Sequence, residues 1–171
     1  QADEVLHEED YEKLRSAFKK HEKDSSVHGL LFDYIHFYGS FDVIRNSRSA
    51  YRREVRIIKK SSGARSIGDA QSFRLPDGSK PQVIRTGAKI YHYGWVRPPE
   101  VMKEKTFFMD TLYHGNKSTS KDGTPHSGEN YRYKRIWGLY PFRGTHPAVM
   151  KKRIADKKWF WDLSKSPLEW E

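Results

Sequence analysis

Short runs of β-branched and aromatic residues alternate along this chain with stretches whose apolar positions recur every three or four residues. That alternation predicts a mixed helix-and-strand domain of the α/β or α+β class. A length of 171 residues is enough for one domain with a real core and short for two. Aromatic residues reach 14%, which argues for an ordered fold although 32% of the chain is charged.

The elements follow in order. QADEVL, apolar at Ala2, Val5 and Leu6, reads as the end of a strand. EEDYEKLRSAFKKHEK places Tyr11, Leu14 and Phe18 on one face at helical spacing, with acids at its start and lysines at its end, as the helix dipole favours. GLLFDYIHFYGSF is a long strand closed by Gly39-Ser40, Ser47 to Tyr51 a loop or short helix, and EVRIIKK the next strand. SSGARSIGDAQSFRLPDGSK, broken by three glycines and a proline, is a loop holding a short strand or turn. QVIRTGAKIYHYGWV is two short strands or one bent one. Pro98-Pro99 opens a helix with Val101, Met102, Lys105, Phe108, Met109 and Leu112 along its buried side. Residues 114–129 form a polar, Gly/Ser-rich segment expected to be mobile. In the last stretch Thr145 is placed to cap a helix that has Pro147 in its first turn and faces Val149, Met150 and Ile154 inward.

Charge is unevenly spread. The formal net charge is +10, yet residues 1–35 carry nine acids and five bases. Seven basic residues and one acid lie between Arg45 and Lys60, in RNSRSAYRREVRIIKK, and an aromatic cluster begins at Tyr91-His92-Tyr93-Gly94-Trp95. Such a run invites polyanions: nucleic acid, anionic lipid headgroups, or a phosphate-bearing small molecule. The absence of cysteine excludes disulfides and thiolate metal sites. No apolar run approaches the length of a membrane span and no signal-peptide pattern opens the chain, so a cytoplasmic location is expected, with peripheral contact to an anionic membrane left open by the basic face. A start on Gln1, in mid-strand, reads as a fragment or a processed product.

Several residues have the chemistry of a site. Asp3 and Glu4 place carboxylates at a strand's end, where oxygen ligands suit Mg²⁺ or Mn²⁺; the same pair also suits a helix's first turn. His92 is a candidate third ligand or a buried ring among tyrosines. Trp95 is either a stacking platform for a sugar or base, or core. Asp69, in the glycine-flexed loop IGDAQSF, is a candidate general base or an ordinary turn aspartate. Arg53 and Arg56 are of the type that grips phosphate bidentately.

Taken in order, QADEVLHEEDYEKL, HFYGSFD, YRREVRIIKK, GDAQSF, KIYHYGWVRPPEVMKEK and GTHPAVMKKRI resemble the second half of a family 2 glycosyltransferase of the GT-A type. The branch resembled is that of bacterial proteins related to lipopolysaccharide-core glucosyltransferases. The likeness covers most of the chain apart from 114–129. It implies an α/β fold, a partial GT-A-like mixed sheet with flanking helices, whose N-terminal nucleotide-binding half is absent. The implied organisation is a catalytic-half segment over 1–113, the polar mobile loop at 114–129 and a helical C-terminal tail over 130–171.

The family's metal motif is Asp-any-Asp followed by Glu-Val. Gln1 stands at the first aspartate and Asp3 at the second, so the resemblance implies a metal set of Asp3, Glu4 and His92 around Mn²⁺ or Mg²⁺. Arg53, Arg56, Gln71 and Trp95 are implied to lie near the donor diphosphate. Asp69 is the carboxylate implied as base, where relatives often carry His-Glu in place of the Asp69-Ala70-Gln71 segment. The implied activity is inverting transfer of a sugar from a nucleotide-sugar to a glycan or glycolipid acceptor of the bacterial cell surface, with the fragment inactive without its N-terminal half. The rival from another class is a basic nucleic-acid-binding module, which the resemblance disfavours.

Overall fold

The computed structural model describes residues 2–68, 72–114 and 131–169. The protein is of mixed α/β class. In chain order come β1 (Glu4–Leu6), a 3-10 turn at Glu8–Asp10, α1 (Tyr11–His21), β2 (Gly29–Tyr38), β3 (Ser40–Arg45), β4 (Arg53–Ile58) and β5 (Arg65–Ile67). Then follow β6 (Ser72–Arg74), β7 (Val83–Trp95), α2 (Pro99–His114), β8 (Leu139–Pro141) and α3 (Lys151–Ala155). A six-stranded sheet has the order β1-β7-β2-β3-β8, with β4 also paired to β2, while β5 and β6 form a separate hairpin.

The sheet is mixed. β1 runs antiparallel to β7, and β3 and β4 antiparallel to β2. Strands β2 and β7 are parallel: His28 N donates to Gln82 O before their start, and Gly39 N to Trp95 O at their far end. The stretch left open as two strands or one bent strand is a single strand, with Gly87 at φ 73° as its irregular point. No helix among the described residues is long and apolar enough to cross a membrane.

Packing groups the chain into two compact units whose segments interleave. The first holds Gln1–Ile35, Arg48–His92 and Thr145–Met150; the second holds His36–Ser47, Tyr93–Gly144 and Lys151–Glu171. Strands β2 and β7 run through both.

In the first unit Leu30, Phe32, Ala88 and Ile90 form a buried cluster, covered by Leu14 and Ala17 of α1. The expected stripe on α1 is therefore corrected by one position. Tyr11 and Phe18 are 46% and 52% exposed, because small Ala17 sits one turn beyond Leu14 and lets the helix settle on that edge instead. The expected cap is also different. Glu8 accepts from Ala148 N at 3.0 and 3.1 Å, while the Thr145 hydroxyl lies 3.1 Å from His7 Nε2, so an acid from the chain's start caps the turn at Ala148–Met150. Met150 is buried there, but Val149 is 74% exposed.

In the second unit Phe37 stacks on Tyr93 with centroids 4.6 Å apart and meets Phe142 edge-on. Tyr38, Met102 and Tyr133 form a second cluster with Trp95, Trp159 and Trp161 packed on it. Phe108 and Leu112, expected to be buried, are 65% and 59% exposed. Met102 and Lys105 of the same expected stripe do face inward, and Lys105 Nζ donates to Gly94 O at 2.8 Å. The expected helical tail is likewise short: within 131–169 only Ala148–Met150 and Lys151–Ala155 are helical. Beyond them Trp159 and Trp161 point inward and Phe160 outward, a period of two that suits an extended chain.

Candidate functional site

Strand pairing in the first unit gathers side chains that are far apart in sequence. Glu4 on β1 is the cross-strand partner of His92 on β7, and Asp3, one residue earlier, lies with its carboxylate 3.7 Å from His92 Nε2. Both side chains are mostly covered, at 20% and 12% exposure. Behind them stand Tyr34 of β2 and Tyr51 of the loop before β4, whose rings meet edge-on at 5.0 Å. Each ring centroid also lies within 6.5 Å of the His92 ring.

Glu4 does not share the position of Asp3. Both of its oxygens accept from Arg56, Nε at 2.8 Å and Nη2 at 2.9 Å. The pair reaches from β1 to β4 over the two strands between them, about 14 Å of sheet at ordinary strand spacing. The Arg56 guanidinium crosses the Tyr34 ring at 5.3 Å on the way. A β-bulge makes this possible. Leu31 pairs with Val55 but Leu30 pairs with Ile57, so Arg56 is the extra residue of β4. The bulge lets Arg56 face Glu4 while its neighbour Ile57 enters the Leu30–Phe32 cluster.

Burial works to raise the Glu4 carboxyl, but the hydrogen bonds and charge of Arg56 outweigh it, with Tyr34 assisting, and hold it below the ordinary value of 4.5. The Glu4 hydrogen bonds in turn push Arg56 up against its own burial. Loss of surrounding water, and then the charge of Glu4, raises Tyr34 and pushes Tyr51 up to about 12, so both hydroxyls stay protonated at neutral pH. A sign follows for stability. Because folding depresses the Glu4 pKa, its contribution is present above 4.5 and is lost as pH falls through the lower folded value. Acid titration of urea midpoints should show this as a steeper loss in wild type than in Glu4→Gln; equal slopes would remove the pair as a source of acid sensitivity.

The other residues read from sequence fall in different places. Arg53 pairs with Asp33, which Arg85 also holds, in a contact where both arginines are half exposed. Asp33 alternates with Tyr34 along β2, so Arg53 and Arg56 serve opposite faces of the sheet. Trp95 belongs to the aromatic cluster of the second unit, 6.3 Å from Tyr38. Asp69 and Gln71, read as base and donor contact, lie outside the described residues, as does most of segment 114–129. Among the described residues no three His, Asp or Glu side chains gather as a metal set.

Much of the basic run is engaged internally. Arg45 Nε donates to Ser47, Arg53 binds Asp33, Arg56 binds Glu4, and Lys59 Nζ donates to the carbonyls of His21 and Asp24. Those contacts draw on the charge that would otherwise meet a polyanion. Tyr34 and Tyr51 are not among the residues that the sequence marks; the local signal for Tyr51 is its place directly before Arg52-Arg53, and Tyr34 has none beyond its strand. No family model matches this chain, and no curated protein or solved structure does either.

Proposed function

We propose that this chain is the metal-side part of a GT-A type glycosyltransferase, which moves a sugar from a nucleotide-sugar to an acceptor hydroxyl with inversion at the anomeric carbon. The observation that carries the reading is the convergence of Asp3 and His92, 89 positions apart in the chain, at 3.7 Å. One carboxylate and one imidazole fit a weakly held Mn²⁺ or Mg²⁺, a cation that takes few protein ligands and leaves positions for phosphate oxygens. The pairing of Glu4 with Arg56 leaves Asp3 as the carboxylate of the pair turned to His92.

When bound, the cation would offset the negative charge that builds on the departing diphosphate. The protein's own contribution is positional. Glu4 and Arg56 neutralise each other and fix the wall of the cluster, and Tyr51, partly exposed, offers a neutral hydroxyl and a ring edge to whatever enters beside His92. The base role falls to Asp69 through the family resemblance.

Mn²⁺ titration followed by the electron-spin signal of the free ion, with and without a nucleoside diphosphate, tests the assignment. Wild type should bind one ion, more tightly with the diphosphate. Asp3→Ala and His92→Ala should each weaken binding by about tenfold or more, the least expected when a direct ligand is removed. Equal binding by both variants, or none by wild type, would end it.

A further inference from the structure

We infer that a groove of about 600 Å³, built wholly within the second unit, is a binding site for a neutral oligosaccharide. The inference stands apart from the Asp3–His92 cluster and needs no metal. The volume lies within the range of small-ligand sites. Its walls are apolar at Val43, Leu139, Pro141 and Leu163, and its charged groups are two acids, Asp42 and Asp162, and two bases, Arg135 and Lys157.

That balance selects the ligand. A phosphate or carboxylate entering the groove would meet two carboxylates, and a cation would meet two cations. A wholly apolar ligand would strip water from four charged groups without replacing its hydrogen bonds. A sugar satisfies all of them: its hydroxyls donate to carboxylates and accept from ammonium and guanidinium groups, and its C–H faces cover aromatic rings.

The groove is also held in shape. Lys157 Nζ donates to Ser40 Oγ at 3.0 Å, and that hydroxyl lies 3.1 Å from Asp42 Oδ2, which orients the carboxylate. Phe160 is 80% exposed, yet it is not at a loose end. Trp159 Nε1 donates to Gly39 O at 3.0 Å and Trp161 Nε1 to Tyr133 O at 2.9 Å, so both neighbours of Phe160 are anchored and its ring is held out beside the groove. Lys165 stands over one face of that ring at 5.8 Å, which leaves the opposite face for a sugar ring.

The test is isothermal titration, in the presence of a chelator, with neutral trisaccharides (maltotriose, cellotriose, laminaritriose, mannotriose and chitotriose) and with inorganic phosphate and oligogalacturonate as anionic probes. Wild type should bind at least one neutral trisaccharide. Phe160→Ala should weaken that binding about two- to tenfold, the scale of one aromatic contact. Asp42→Asn should weaken it about tenfold, as expected for a hydrogen bond to a charged group. Asp3→Ala should bind as wild type does, which separates failure here from failure of the metal site. No binding across the panel, a preference for the anionic probes, or unchanged binding in both groove variants would overturn the inference.

Discussion

Replacing Arg56 by alanine should destabilise the protein by about 3–5 kcal/mol, the cost of removing one partner of a buried ion pair. The Glu4 side chain is 6% exposed and Arg56 is 18% exposed, so the carboxylate left behind cannot recover its hydration where it stands. The pH dependence should also reverse. In wild type Arg56 holds the Glu4 pKa below its ordinary value despite burial, and acid removes that contribution. Without Arg56 the burial acts unopposed by that charge, the folded pKa rises above the unfolded one, and protonating Glu4 becomes stabilising. Urea unfolding at several pH values between neutrality and the acid limit should therefore show Arg56→Ala losing less, or gaining, as pH falls.

The double variant Glu4→Leu/Arg56→Met completes the cycle. It should recover most of the loss, because a well-packed apolar pair leaves no charge uncompensated. A double variant as unstable as Arg56→Ala would mean that the guanidinium matters for its packing over Tyr34 rather than for its charge. The contrast within the same strand is Arg53. Its partner Asp33 is shared with Arg85, and both arginines are half exposed, so Arg53→Ala should cost no more than about 1 kcal/mol.

The two arginines also mark how far the sequence could be read. Strand β4 was legible from EVRIIKK, because β-branched residues at close spacing leave little else. The bulge was not, since one extra residue changes no composition and its register is set by β2 across the ladder. Without that register Arg53 and Arg56 read as one basic wall. The approach of Asp3 to His92 depends on pairing between β1 and β7, a contact no local pattern encodes; residue chemistry marks both as candidate ligands, and the family resemblance groups them.

Helix faces are only partly legible for a related reason. Phe18, Phe108 and Leu112 are apolar and correctly spaced, but α1 settles on Leu14 and Ala17, and α2 buries Met102 of its expected stripe while the later positions stay exposed. In the tail Trp159, Phe160 and Trp161 alternate with the period of two of an extended chain, a signal of only three residues that follows lysines and a helical start at Pro147.

The second large effect is expected at the turn between β2 and β3. Gly39 has φ 68°, and a Cβ added there would lie 2.6 Å from Cε3 of Trp161. Gly39→Ala therefore incurs two costs. A side chain in the left-handed region costs about 1–2 kcal/mol, and the tryptophan ring must move as well. Trp161 is tied by its indole donation to Tyr133 O and by edge contact with Tyr38 at 5.7 Å, so it has no near alternative position. A total of about 3–4 kcal/mol is expected, in the range reserved for backbone strain combined with disrupted packing.

The two costs separate in a cycle. In a Trp161→Ala background the ring is gone, and Gly39→Ala should cost only the backbone part, leaving a coupling of about 2 kcal/mol between the sites. Additive effects would mean that the ring yields freely and the turn alone requires glycine. Trp161 also lines the groove, so Gly39→Ala should weaken trisaccharide binding together with stability, whereas Phe160→Ala should weaken binding alone. That difference between two residues of one groove distinguishes a ring that supports the fold from a ring held out to meet a ligand.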